Sequence, residues 1–139
     1  MYKLSESTQQ DIEQLTEWIQ SDPYHKDCLN PTWWLTGNGA LSYCLMDSKG
    51  PTMYVRTDIE GWKLRLHCQF APESEVDKSR VIKSIIWALP RMEKFARDNQ
   101  LSGLIYQSTS PSLISFMQMK FGFVPTENND HIMVFREEE

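Results

Sequence analysis

The sequence predicts one mixed α/β domain, and three observations carry that. Trp62, Leu64, Leu66, Cys68 and Phe70 alternate with Lys63, Arg65, His67 and Gln69, which is the period of a half-buried strand. Ile82, Ile85, Ile86, Leu89, Met92 and Ala96 trace one stripe at helical spacing. The segments follow in the order helix, three strands with short links, long helix, strand, short helix and two strands, all within 139 residues. Residues 1–139 show no linker, repeat or low-complexity tract, so the expectation is a single domain with a mixed, mostly antiparallel sheet and flanking helices.

Each element has a local cause. Ser7 or Thr8 caps a helix over residues 8–21, and Gln10 or Asp11 completes a capping box. Ile12, Leu15, Trp18 and Ile19 give it one apolar face, and Asp22-Pro23 ends it because proline pushes the preceding residue out of the helical region. Residues 24–39 have no clear period, and Gly37-Asn38-Gly39 signals a turn. Strands are expected at Ala40–Met46, Thr52–Thr57 and Trp62–Phe70, with turns at Asp47-Ser48-Lys49-Gly50-Pro51 and Asp58-Ile59-Glu60-Gly61. Links this short imply an antiparallel meander.

The long helix spans residues 74–98, with Pro90 expected to kink or break it. A strand at Leu104–Gln107 follows, then a helix that starts at Ser110-Pro111 and closes at Gly122. Strands at Phe123–Thr126 and His131–Arg136 form a closing hairpin around Glu127-Asn128-Asn129-Asp130, and Glu137-Glu138-Glu139 is a solvated tail.

Composition excludes several classes. The hydrophobic fraction of 40% and charged fraction of 24% are those of a globular chain, and sixteen aromatic residues supply a core. A net charge of −5 argues against general nucleic-acid binding, which needs a basic surface. The longest apolar run, Ile85 to Leu89, is far short of the ~20 residues a membrane span needs, and the first residues lack the apolar core of a signal peptide. The expected compartment is the cytoplasm. Cys28, Cys44 and Cys68 lack a disulfide or CxxC pattern, and Cys44 and Cys68 read as small buried hydrophobes.

Chemistry-bearing motifs are sparse. The chain has no Walker loop, dinucleotide fingerprint, Gly-x-Ser-x-Gly elbow or His-Glu-x-x-His pair. His25, Asp27 and Cys28, with Asp22 nearby, supply too few ligands for a zinc site, so no metal is expected. His67 is the titratable residue near neutral pH on the central strand, and it reads as structural or as a surface group. Trp33-Trp34 either wall a cleft or pack beneath an irregular loop.

The element order, the ending Lys120-Phe121-Gly122-Phe123 of the short helix, and Phe70-Ala71-Pro72 after the central strand resemble the GNAT acetyltransferase superfamily. The resemblance covers nearly the whole chain in topology and is densest in residues 104–136. It implies a cleft where Trp62–Phe70 and Leu104–Gln107, as a parallel pair, splay apart around an acyl-CoA. It also implies that the pantetheine arm lies along the first strand, near Phe70 and Ala71. Pyrophosphate would sit at the start of the long helix, and Trp33 and Trp34 would wall the acceptor cleft.

The sequence departs from that family at two points. Residues 73–83 contain no glycine, although helix N-termini bind phosphate best where glycine lets it approach. Lys78, Ser79, Arg80 and Lys83 are then the expected contacts for acetyl-CoA or another acyl-CoA, opposed by Glu73, Glu75 and Asp77. In addition, Gln118 stands where many relatives carry a tyrosine acid, and Gln is not an acid. No catalytic residue is assigned. Two readings follow from the resemblance: an acyl-CoA-dependent N-acyltransferase of unknown acceptor, or a catalytically inactive GNAT-fold protein serving as a small-molecule or protein-interaction module. The meander or the closing hairpin would serve a homodimer.

Overall fold

The structure is a computed structural model describing residues 1–25, 30–35 and 41–136. The elements are β1 (Lys3–Glu6), α1 (Ile12–Ser21), β2 (Leu41–Asp47), β3 (Gly50–Glu60), β4 (Lys63–Phe70), α2 (Lys78–Asp98), β5 (Gly103–Gln107), α3 (Pro111–Phe121), β6 (Val124–Pro125) and β7 (Asp130–Val134). Short 3-10 turns cover Gln9–Asp11 and Pro31–Leu35. The seven strands form one sheet in the order β1-β2-β3-β4-β5-β7-β6, with β4 and β5 its parallel pair.

Most expected elements form, and the differences have physical reasons. β1 has no sequence signature because Leu4 is its one aliphatic residue; it exists because the edge of β2 offers a partner, with Leu4 opposite Leu45. β3 runs through Asp58-Ile59-Glu60, which reads as a turn in sequence. Those acids are held by basic groups instead: Arg56 and His67 hold Asp58, and Arg65 holds Glu60. The turn shrinks to Gly61-Trp62, where Gly61 takes φ +62°, the left-handed region that glycine enters without steric cost.

α2 begins at Lys78 rather than at residue 74, and it passes through Pro90 unbroken. Pro90 and Ile86, four residues earlier, both lie on the exposed side, so water can satisfy the carbonyl that proline leaves unpaired. The capping box at Thr8 and Asp11, the Ser110 cap with Pro111, and the left-handed Gly122 at the end of α3 all form as expected. Gly37-Asn38-Gly39, Ala40 and the tail 137–139 lie outside the described residues.

The pleat distributes chemistry to two faces. Tyr54 and Gln69 point toward α1: Tyr54 meets Trp18 edge-on at 5.2 Å and donates its hydroxyl toward Asp11 and Gln14. Val55, Leu64 and Leu66, on the opposite face, join the core with Val81, Ile85 and Leu89 of α2. The register shifts between Leu45 and Met46, leaving Thr52 as the extra residue of a bulge; its hydroxyl turns to Ser84 of α2 at 2.7 Å. Both groups are wholly buried, so this pair ties the sheet to α2 without an orphaned hydroxyl.

Candidate active site

The site is built where β4 and β5 part. They pair only over Lys63–Arg65 with Gly103–Ile105, after which β5 continues beside β7 while β4 runs on to Phe70. Arg65 pins the fork, donating to Asp130 at 2.9 and 3.2 Å and pairing with Glu60 at 2.9 Å. These carboxylates raise the Arg65 pKa, and Arg65 holds the Asp130 carboxyl below its usual range. From Leu66 to Phe70 the β4 edge therefore has no strand partner on the β5 side among the described residues. A cavity of about 910 Å³ opens there, reaching from Trp33 and Trp34 at one end to Lys78 and the first turns of α2 at the other.

On the α1 face of β4, His67 lies in the cavity wall with Nε2 3.2 Å from Asp58 Oδ2. Asp58 also receives two bonds from Arg56, Nε to Oδ2 at 3.0 Å and Nη2 to Oδ1 at 3.1 Å. A carboxylate so engaged acts as acceptor, which assigns the proton to His67 Nε2 and leaves Nδ1 with a lone pair. Burial lowers the His67 pKa, while Asp58 opposes that shift and Arg56 and Arg65 add to it. The Asp58 carboxyl is held below its ordinary range chiefly by its hydrogen bonds from Arg56.

Trp33 and Trp34 sit edge-to-face at 5.4 Å, and each meets the His67 ring edge-on, at 4.8 and 6.4 Å. Arg56 stacks on Trp33 at 3.8 Å and donates to the Trp33 carbonyl. The tryptophan pair thus both lines the cavity and packs against β3 and β4.

On β5, Tyr106 lines the cavity and is only 6% exposed, and its hydroxyl has no hydrogen-bond partner among the described residues. Its ring is fixed edge-on by Phe123 at 5.0 Å and stacked on His131 at 5.0 Å. Burial pushes the Tyr106 pKa up to about 12, so the group is a hydrogen-bond donor at neutral pH.

At the α2 end, Phe70, Ala71 and Lys78 line the cavity, as do Pro72 and Glu73. Arg80 is engaged elsewhere: its guanidinium holds Asp47 through two bonds of 2.7 Å. Glu75 accepts a bond from Trp18 Nε1 at 3.0 Å. Ser79 and Lys83 are exposed and off the cavity lining. Gln118 is likewise exposed and off the lining. Asp27 and Cys28 lie outside the described residues, and no cluster of three His, Cys, Asp or Glu fit for a metal occurs among the described residues.

The structure thus adds His67 with Asp58, Tyr106, and the buried Gln69 with His25 to the residues of interest. Asp58 carried only a turn signal in sequence, and Gln69 only its place in a strand alternation. Their pairings depend on cross-strand register and on the end of α1, which no local pattern encodes.

The parallel pair that forks inside a mostly antiparallel sheet, with α2 crossing between its two strands, defines the GNAT fold. Structural relatives agree across nearly the whole chain. An acetyltransferase of the GNAT family from Staphylococcus aureus has a TM-score of 0.69 at 12% identity, covering 98% of this chain and 100% of that one. A ribosomal-protein alanine N-acetyltransferase from Escherichia coli has a TM-score of 0.66 at 13% identity, covering 95% and 91%. An aminoglycoside acetyltransferase solved with coenzyme A has a TM-score of 0.65 at 16% identity, covering 96% and 95%. At these identities the likeness establishes the fold. No protein-family model and no curated protein sequence matches the chain. No helix among the described residues is long and apolar enough to cross a membrane.

Proposed function

We propose that the protein is a GNAT-type N-acyltransferase that takes an acyl-CoA in the β4–β5 fork and an amine at the Trp33–Trp34 end. The observation that carries this is the unpaired β4 edge from Leu66 to Phe70, opening on a cavity that also holds His67 and Tyr106. An exposed strand edge offers backbone donors and acceptors to an amide-bearing arm. The wall of Val81, Ile82 and Ile85 suits its aliphatic part.

The residues present fit the acyl arm better than the pyrophosphate. The loop before α2 presents Glu73, Glu75 and Asp77 and no glycine, and Arg80 is paired with Asp47. Lys78 is the cation at the cavity rim without a carboxylate partner among the described residues, so it is the leading phosphate contact, with Ser79, Arg80 and Lys83 behind it. When bound, acyl-CoA supplies an activated acyl group on a thiol that leaves.

His67 Nδ1 takes a proton from the amine, and the imidazolium so formed is stabilised by Asp58. Tyr106 Oη, buried and without a partner among the described residues, donates a hydrogen bond in the fork, taking the place in the chemistry that Gln118 cannot fill. Holding both reactants in one cavity contributes the rest by proximity. Such chemistry belongs in the cytoplasm, where acyl-CoA is made and used.

The second reading, an inactive GNAT-fold binding module, draws on the acidic, glycine-free loop and its Asp47–Arg80 clamp. Thiol release from acetyl-CoA over a panel of primary amines separates the two. Turnover lost in His67→Gln supports the enzyme; no release above background with any amine supports the module.

A further inference from the structure

At the Trp33–Trp34 end, a second imidazole is held as firmly as His67. α1 ends at Ser21, and Asp22-Pro23-Tyr24-His25 forms a tight turn in which Asp22 Oδ1 accepts from Tyr24 N at 2.8 Å and the Asp22 carbonyl from His25 N at 3.1 Å. That turn carries the His25 ring to Gln69, which is wholly buried on β4. His25 Nδ1 lies 2.6 Å from Gln69 Oε1.

The amide of Gln69 has only one orientation that satisfies its neighbours. Its Nε2 faces Asp22 Oδ2 at 3.0 Å, the Phe70 carbonyl at 3.1 Å and the Trp18 carbonyl at 3.4 Å. All three are acceptors, so this atom is the NH₂ and the atom toward His25 is the carbonyl oxygen. An acceptor 2.6 Å from Nδ1 requires the proton on Nδ1. Asp22 Oδ2, 3.4 Å from the same nitrogen, favours it as well.

Nε2 of neutral His25 is then a bare lone pair, with no partner among the described residues, on a ring that lines the cavity beside Trp34 at 6.1 Å. We infer that Gln69 is a positioning residue that holds His25 as its Nδ1–H tautomer, so that His25 Nε2 binds an N–H of the amine acceptor across Trp34 from His67. The last clause rests on the acyltransferase reading; the tautomer does not.

The first arm of the test needs no ligand. Two-bond ¹H–¹⁵N spectra of the ¹⁵N-histidine-labelled protein at pH 8 report each ring's tautomer, with His25 assigned by its loss in His25→Phe. The expected result is His25 protonated at Nδ1, kept in Asp22→Asn and lost to a mixture in Gln69→Leu. A wild-type His25 protonated at Nε2, or an Nδ1–H form that survives Gln69→Leu, overturns the positioning role. The wild-type spectrum alone decides if Gln69→Leu does not fold.

The second arm is kinetic. His25→Phe raises KM for the amine about tenfold while kcat stays within about twofold, the pattern of lost binding rather than lost chemistry. An unchanged KM overturns the binding role. Absence of transfer in the wild type would sink the acyltransferase reading and with it the amine ligand, while leaving the tautomer result standing.

Discussion

His67 Nε2 stands 3.2 Å from Asp58 Oδ2, and the same carboxylate is gripped from behind by Arg56, so the imidazole keeps its free nitrogen fixed in orientation. If His67 is the base, His67→Gln lowers kcat about 100-fold or more, the range that general-base loss produces. The burial-lowered pKa sets the pH profile: kcat/KM rises as His67 loses its proton, with the midpoint of that acid limb below the ordinary imidazole value of about 6.5. Asp58→Asn removes the group that raises this pKa, so the acid limb moves to still lower pH while the plateau falls. Initial rates from pH 5 to 8 check both effects.

The same shift affects stability. His67 is more easily protonated unfolded than folded, so the unfolded state binds more protons and stability falls as pH drops below about 6.5. His67→Gln flattens that part of the curve in urea unfolding between pH 5 and 7.

Asp47 and Arg80 make a linkage of the same sign at lower pH. Two hydrogen bonds from Arg80 lower the Asp47 pKa to about 2 from 3.8. The pair therefore stabilises the fold above about pH 4, and that contribution is lost as pH falls toward 2. Arg80→Ala costs about 1 kcal/mol at pH 7 for a pair this near the surface, and the difference from wild type vanishes at low pH. A thermal-unfolding series with pH measures it.

Pro90 is tolerated rather than needed. Pro90→Ala restores a helical donor to α2 where the ring removes one, and raises stability by about 1–3 kcal/mol. Denaturant midpoints report the gain. A loss instead would show that the ring stabilises α2 through contacts of its own.

Gly103 sits where β4, β5 and β7 crowd together. A Cβ there would lie 2.6 Å from the Met133 carbonyl oxygen and 2.9 Å from the Trp62 ring. The carbonyl belongs to the β5–β7 ladder and cannot swing aside, so Gly103→Ala destabilises by about 1–3 kcal/mol. The measurement is the urea midpoint, with the m-value as control for a changed unfolded state.

Local signals in the sequence account for the helices, because caps and stripes are short-range: Thr8 with Asp11, Ser110 with Pro111, and Gly122 all act within one turn. The alternation of residues 62–70 marks the central strand for the same reason. Asp58, Gln69 and Tyr106 are different. Their placement comes from register, the parting of β4 from β5 and the place where α1 ends, and each looks locally like a turn acid, a strand polar residue or a core aromatic. Trp33 and Trp34 carry both of the roles the sequence left open, lining the cavity and packing against Arg56 and His67. What Ser79, Arg80 and Lys83 reach depends on side-chain direction along α2, which a glycine-free loop does not encode.

The most direct test of the fork as an acyl-donor site is calorimetric titration of acetyl-CoA and of acetyl-pantetheine, repeated with Lys78→Glu. The account predicts that both ligands bind, that acetyl-CoA binds the wild type more tightly, and that Lys78→Glu erases the advantage while sparing acetyl-pantetheine. No heat from either ligand at millimolar concentration would contradict it.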